Sequence, residues 1–161
     1  MRKILTALLA AAVALSLSAA AMAAKRAPGE PGAMPQAVET AISEIDKYGN
    51  ILLDVSCTGL FERGYAWGDI VDVTILGQRY EMPVASNFNE VDSGGMVCRA
   101  VLKEDLGEDY TVLAINMGDL ATDAGVATRE NTDSDPGYIW HYNAGVSKPV
   151  AVSIEMKEPC G

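Results

Sequence analysis

Val71-Asp72-Val73-Thr74-Ile75 alternates apolar and polar side chains with a period of two. That period puts Val71, Val73 and Ile75 on one face and Asp72 and Thr74 on the other only if the backbone is extended; a helix would scatter them. Leu76-Gly77-Gln78-Arg79 then turns the chain back into Tyr80-Glu81-Met82-Pro83-Val84, so the unit is a half-buried hairpin. A lone hairpin is unstable in water and needs further strands. Similar short runs recur at Ile51 to Val55, Met96 to Leu102, Tyr110 to Asn116 and Val150 to Met156, each bounded by Gly, Asn, Asp or Ser. The expected fold is all-β, six or seven short strands with little helix, arranged as a small, closed or nearly closed antiparallel β-barrel or as a sandwich.

Two helical interruptions are expected. Thr58 to Gly64 reads as a short turn of helix, with Leu60-Phe61 inward, Glu62-Arg63 outward and Gly64 as a C-terminal cap. Met117 to Gly125 reads as a turn leading into a single helical turn. Gln36 to Ser43 fits a short helix or an approach strand. Lys103 to Asp109 reads as an acidic turn, and Arg129 to Gly145 as a loop in which only Tyr138-Ile139-Trp140 has strand character.

The chain begins with Met1-Arg2-Lys3, an Ala- and Leu-rich apolar run to Ala20, and Ala21-Met22-Ala23. A basic start, a short apolar stretch and an A-x-A site mark residues 1-23 as a signal peptide, cleaved before Ala24. The product is expected to be periplasmic or extracellular, with no membrane span after cleavage. Residues 24-41, which begin with a Pro- and Gly-rich stretch, are expected to be a flexible leader, and 42-161 the barrel domain.

Losing Arg2 and Lys3 takes the formal charge from −10 to −12. Such a surface repels nucleic acid and anionic membranes. Cys57, Cys98 and Cys160 in an exported chain imply one disulfide and one leftover thiol, with three pairings open. His141 is the single histidine, which leaves no zinc site and little ground for a Cys-His nucleophile. No phosphate-binding glycine loop or G-x-S-x-G elbow is present. Asp133-Ser134-Asp135 runs into Pro136-Gly137 without the closing glutamate of a calcium loop, so no metal is expected. Asp119 and Asp123, four apart, fit a solvated helical face better than an acid-base pair.

Among the candidate binding residues, Asn50 follows Tyr48-Gly49 in a turn and carries both donors and an acceptor at a strand mouth. Tyr65 and Trp67 sit on a turn where an aromatic face can stack on a flat ring, or else plug the barrel end.

Four pieces in order resemble a known family. Asp46-Lys47-Tyr48-Gly49-Asn50-Ile51-Leu52-Leu53-Asp54-Val55 resembles the D-x-F-G-N-x-x-T-N-I opening of the C-terminal domain of the S-adenosylmethionine hydroxide adenosyltransferases, the family that includes chlorinases and fluorinases. Arg63 to Val73 is similar to its next turn and strand, Ser86 to Gly94 to its T-Y-S-D-V-x-x-G loop, and Leu113 to Ala121 to its I-N-S-x-G-x-L-x-I-A motif. The resemblance covers roughly Ile42 to Thr128. It implies a small antiparallel barrel, with Asn50 matching the asparagine that contacts the nucleoside and Asn116 that of the N-S pair. Leu52 stands where fluorinase-like members have tryptophan, Met117 replaces the serine, and Thr122 and Asp123 lie where the family has arginines.

In that family the chemistry belongs mainly to an N-terminal domain, which is not expected here. The sequence therefore points to a secreted, non-catalytic small-molecule binding module with Asn50, Tyr65, Trp67 and Asn116 as ligand-binding residues. It needs no cofactor, with S-adenosylmethionine or adenosine as the implied ligand. Its expected partners are a small polar ligand and further copies of the chain. The alternatives are a structural or protein-interaction barrel of the cell envelope, and a subunit of an S-adenosylmethionine-hydrolysing enzyme that needs a catalytic partner chain.

Overall fold

The computed structural model describes residues 35–101, 109–134 and 136–160. The signal peptide, most of the leader and most of the acidic turn after Val101 lie outside the described residues. The elements run β1 (Val38–Ile45), β2 (Ile51–Leu53), α1 (Cys57–Glu62), β3 (Ile70–Ile75), β4 (Gln78–Ala85), β5 (Met96–Val101), β6 (Tyr110–Ile115), α2 (Leu120–Asp123), β7 (Ala127–Asn131), β8 (Tyr138–Tyr142) and β9 (Ala151–Glu158).

Seven strands close into a barrel in the order β1-β2-β6-β5-β4-β3-β9. Closure depends on two strands that change partner along their length. β1 pairs with β9 through Val38–Ala41, and after Ile42 it pairs with β2, with a bulge between Ile42 and Glu44. β4 pairs with β3 from Gln78 to Pro83, and through Val84 and Ala85 it meets β5 in parallel, the one parallel seam of the barrel. The leader thus ends earlier than its expected boundary at residue 41, because Val38 already points into the core at 3% exposure. Within the stretch Gln36 to Ser43, strand begins at Val38.

The alternation that predicted the β3-β4 hairpin is observed. Val71, Val73, Ile75, Met82 and Val84 are fully buried inside the barrel. Leu76 (φ 50°) and Gly77 (φ 78°) form its two-residue turn, the doubly left-handed type that matches strand twist. On the outer face Asp72 lies between Glu81 and Glu155 on neighbouring strands. Arg79 pairs with Asp72 and Lys157 with Glu81, which relieves the like charges.

Each end of the barrel is stopped by a short helix. α1 follows β2, is capped by the Ser56 hydroxyl accepting from the Gly59 N–H, and inserts Cys57 and Leu60. α2 follows β6 at the opposite end and inserts Leu120 and Ala121. Cys57 and Cys98 are both buried in the core, where burial, with Cys57 nearby, pushes the Cys98 thiol up to about 12. Cys160 is held elsewhere, its N–H donating to the buried Asp69 carboxylate, which also accepts from Ala66 N–H.

A second apolar layer lies outside the barrel wall. Ala85, Val97, Val112 and Ala114 face outward and are covered by Phe88 and Val91 of the 86–95 loop, with Leu52 and Tyr110 alongside. The expected loop from Arg129 to Gly145 is instead largely the hairpin β7-β8, with Tyr138, Trp140 and Tyr142 alternating with Ile139 and His141. Period two was present there; the polar turn at its centre obscured it. Among the described residues no helix is long and apolar enough to cross a membrane.

Candidate functional site

The turn from Asp46 to Asn50 is organised by one carboxylate. Asp46 Oδ1 accepts the backbone N–H of Tyr48 (2.7 Å) and Asn50 (3.0 Å), while Oδ2 accepts Asn50 Nδ2 (2.8 Å). From outside, the β7-β8 hairpin adds two bonds to the backbone of the turn. Trp140 Nε1 donates to the Asp46 carbonyl at 3.0 Å, and Arg129 donates to that of Lys47 at 2.9 Å. Beneath it, Ala121 N–H donates to the Gly49 carbonyl. Gly49 is required twice over: its φ is 83°, and a Cβ there would stand 2.1 Å from Asp119 Oδ1. Asp119 is fixed in turn as the cap of α2, accepting from Thr122 N–H and hydroxyl. The Asp119 and Asp123 pair is therefore not a joint acid-base site, since Asp119 sits outside the helix as its cap.

Asn116 lies across from this turn. Its backbone N–H donates to Gly95, its carbonyl accepts from Gly94, and its Nδ2 donates to the Val91 carbonyl at 2.9 Å. One residue thus staples the 86–95 loop to the end of β6. Glu90 knots the start of that loop by accepting from Ser86 N–H, Ser86 hydroxyl and Asn87 N–H. Burial disfavours the Glu90 carboxylate, but these hydrogen bonds outweigh it and hold its carboxyl below the ordinary range. Arg99 stacks on Phe88 at 4.7 Å from the ring centroid and donates to the Ser86 carbonyl, which fixes the one large aromatic of the loop.

Between these segments lies a cleft of about 650 Å³. Tyr48 and Asn50 line it from the first turn, Phe88 and Asn89 from the loop, Ile115 to Asp119 from the end of β6, and Arg129 from β7. The orientation of both key amides follows from their partners. Asp46 carboxylate and Val91 carbonyl can only accept, so each asparagine must direct its NH2 to the protein. Each Oδ1 is left without a donor among the described residues. The cleft thus brings together the Asn50 and Asn116 amides, the Asp119 carboxylate that caps α2 and the Arg129 guanidinium, with apolar walls at Tyr48, Phe88, Ile115 and Met117. A groove of similar size along β1 and α1 is more open, and no aromatic side chain lines it.

Asn50 and Asn116 are brought together, but Tyr65 and Trp67 do not join them. Both aromatics stand at the α1 end of the barrel, away from the cleft at the α2 end. Tyr65 is 2% exposed, with its hydroxyl 2.9 Å from the Ile154 carbonyl and 3.1 Å from that of Gln36. Burial, aided by Glu155 and Asp69, raises its phenol to about 12. Trp67 donates to the Ala100 carbonyl at 3.1 Å and meets Phe61 edge to face at 5.0 Å. Tyr65 is enclosed in the core and half-buried Trp67 packs against it, so neither lines the cleft with Asn50 and Asn116, and the expected grouping of four residues in one site is not formed. The aromatics that do line the cleft are Tyr48, 62% exposed, and Phe88. Tyr48 lay inside the turn already singled out, and Phe88 was the only large ring in an otherwise polar loop.

No family model matches the chain and no curated protein matches it. Among solved structures, an uncharacterized conserved protein from Thermotoga maritima superposes with a TM-score of 0.52 at 17% identity, over 73% of this chain and 35% of that one. A conserved hypothetical protein from Thermus thermophilus gives 0.41 at 19% identity, over 83% and 39%. The Thermotoga protein shares the fold. The chain spans little more than a third of the length of these two proteins.

Proposed function

We propose that this chain is an exported, non-catalytic binding module for a small, flat molecule rich in hydrogen-bond donors, of the nucleoside type, with adenosine or S-adenosylmethionine as the representative ligand. One observation carries the reading: Asn50 and Asn116, far apart in sequence, line one cleft, and each commits its amide NH2 to the protein, so that its carbonyl oxygen is the atom that can accept from a ligand. An exocyclic amine or sugar hydroxyls supply such donors, and Tyr48 and Phe88 supply faces for a ring. Arg129 at the edge of the cleft suits the carboxylate of an amino-acid tail. The motif order that resembles the adenosyltransferase C-terminal domain points to the same ligand class. The reading assigns the cleft binding and no catalytic role, in keeping with a resemblance to the domain that does not carry that family's chemistry.

The test is a thermal-shift and calorimetric titration of the processed chain with adenosine and with S-adenosylmethionine. Ligand at a hundredfold excess over Kd adds about 2.7 kcal/mol of stability, a rise of several degrees in Tm. Absence of any shift at millimolar concentrations of both refutes the proposal.

A further inference from the structure

We infer that Met117 is a specificity-determining contact of this cleft, a thioether held out over the ring of the ligand by a strained turn; the inference rests on the ligand reading above. Met117 is 89% exposed, well above the other exposed large apolar side chains, and it lines the cleft. Its backbone is left-handed, with φ 61°. The turn is closed by Gly118 N–H donating to the Ile115 carbonyl, which makes Met117 its third residue. Turns with positive φ at that position ordinarily take Gly or Asn, since a Cβ there crowds the following carbonyl.

The sequence has a glycine in this turn but places it one residue later. A Cβ at Gly118 would stand 2.5 Å from the Ile115 side chain, so that position has no alternative. Position 117 does: Gly or Asn would relieve it. The strain at Met117 thus has no packing return within the chain, because the side chain is 89% exposed. A long, polarizable thioether at the rim of a cleft walled by Tyr48 and Phe88 gains its contacts only when a ring occupies the cleft. It favours ligands with an extended flat face over small polar ones, which the two amide oxygens alone would accept equally.

The experiment compares wild type, Met117→Gly and Met117→Leu by calorimetry with adenosine, each with a thermal melt. Met117→Gly is expected to melt no lower than wild type, since relief of the left-handed strain offsets the freer unfolded chain. Its adenosine affinity should fall about three- to tenfold, the loss of one apolar side chain covering part of a ring face. Met117→Leu keeps the apolar bulk and should stay within about twofold. A second arm leaves the backbone untouched. Hydrogen peroxide transfers one oxygen to the thioether and is reduced to water, giving the sulfoxide, with the site mapped by mass spectrometry. Wild type treated in this way should lose affinity to a similar extent as the glycine variant, and treated Met117→Leu should not. Adenosine binding equal to wild type in Met117→Gly overturns the role of Met117 and leaves the cleft standing. No response to adenosine or S-adenosylmethionine in wild type overturns both.

Discussion

Asp46 is the residue on which the candidate cleft depends most, and its removal gives the sharpest test of how the cleft is built. Its carboxylate accepts three hydrogen bonds, two from backbone N–H groups and one from Asn50 Nδ2. A net contribution of about 0.5–1.5 kcal/mol each, taken toward the low end because Tyr48 is exposed and Asp46 only half-buried, puts Asp46→Ala at about 2 kcal/mol of lost stability. For a domain of this size that is a fall of about 8 °C in Tm. Asp46→Asn separates the contributions. Its side-chain oxygen still accepts from Tyr48 and Asn50 N–H, but its NH2 meets the NH2 of Asn50, so one bond of the three is lost. It should cost about a third of the loss in Asp46→Ala while releasing Asn50 to rotate, and re-ordering that amide on binding weakens adenosine affinity about two- to tenfold. Thermal melts monitored by circular dichroism and calorimetric titration measure both quantities. Wild-type stability in Asp46→Ala, or wild-type affinity in Asp46→Asn, refutes the claim that one carboxylate preorganises this turn.

Two further outcomes concern the barrel itself. The Thr111 hydroxyl is fully buried and has no hydrogen-bond partner among the described residues, so Thr111→Val, which keeps the shape and removes the hydroxyl, should raise stability by about 1 kcal/mol in urea denaturation; a loss would show that the hydroxyl is satisfied. The Tyr65 phenol, raised by burial from 10 to about 12, stays neutral in the folded state while the unfolded chain ionises. The stability tied to its neutral form is therefore complete below pH 10 and lost as pH rises from 10 to 12. Tyr65→Phe should flatten the dependence of Tm on pH in that window, and an unchanged slope would count against the burial of this hydroxyl.

Much of the barrel was legible because its information is local. Period two at Val71-Asp72-Val73-Thr74-Ile75 and the Leu76-Gly77 turn state a hairpin within a few residues, and the observed register pairs Ile75 with Gln78 across that turn. The β1 boundary was less legible: Val38 and Thr40 belong to a strand only because β9, more than a hundred residues later, supplies its partner at Ile154 and Val152. A leader and an edge strand differ in that case by a long-range pairing, which local composition does not carry. The site divides in the same way. Asn50 was readable because its turn precedes a buried strand, and Asn116 because it ends one; both therefore fall at the same rim, where β2 and β6 pair antiparallel through Ile51 and Leu113. Tyr65 and Trp67 carried the same local signal, an aromatic on a glycine-bounded turn. Their side of the barrel was decided by α1, which follows the other end of β2 and carries them to the opposite mouth. Three residues of β2 separate the two ends, so the sequence distance from Asn50 to Tyr65 looks short while the barrel stands between them. A turn residue is a ligand candidate only once the strand it follows has been given a direction. On that criterion Tyr48, Asn50, Phe88, Asn116 and Met117 share one mouth, and the aromatics that looked best by chemistry alone are the stopper of the other.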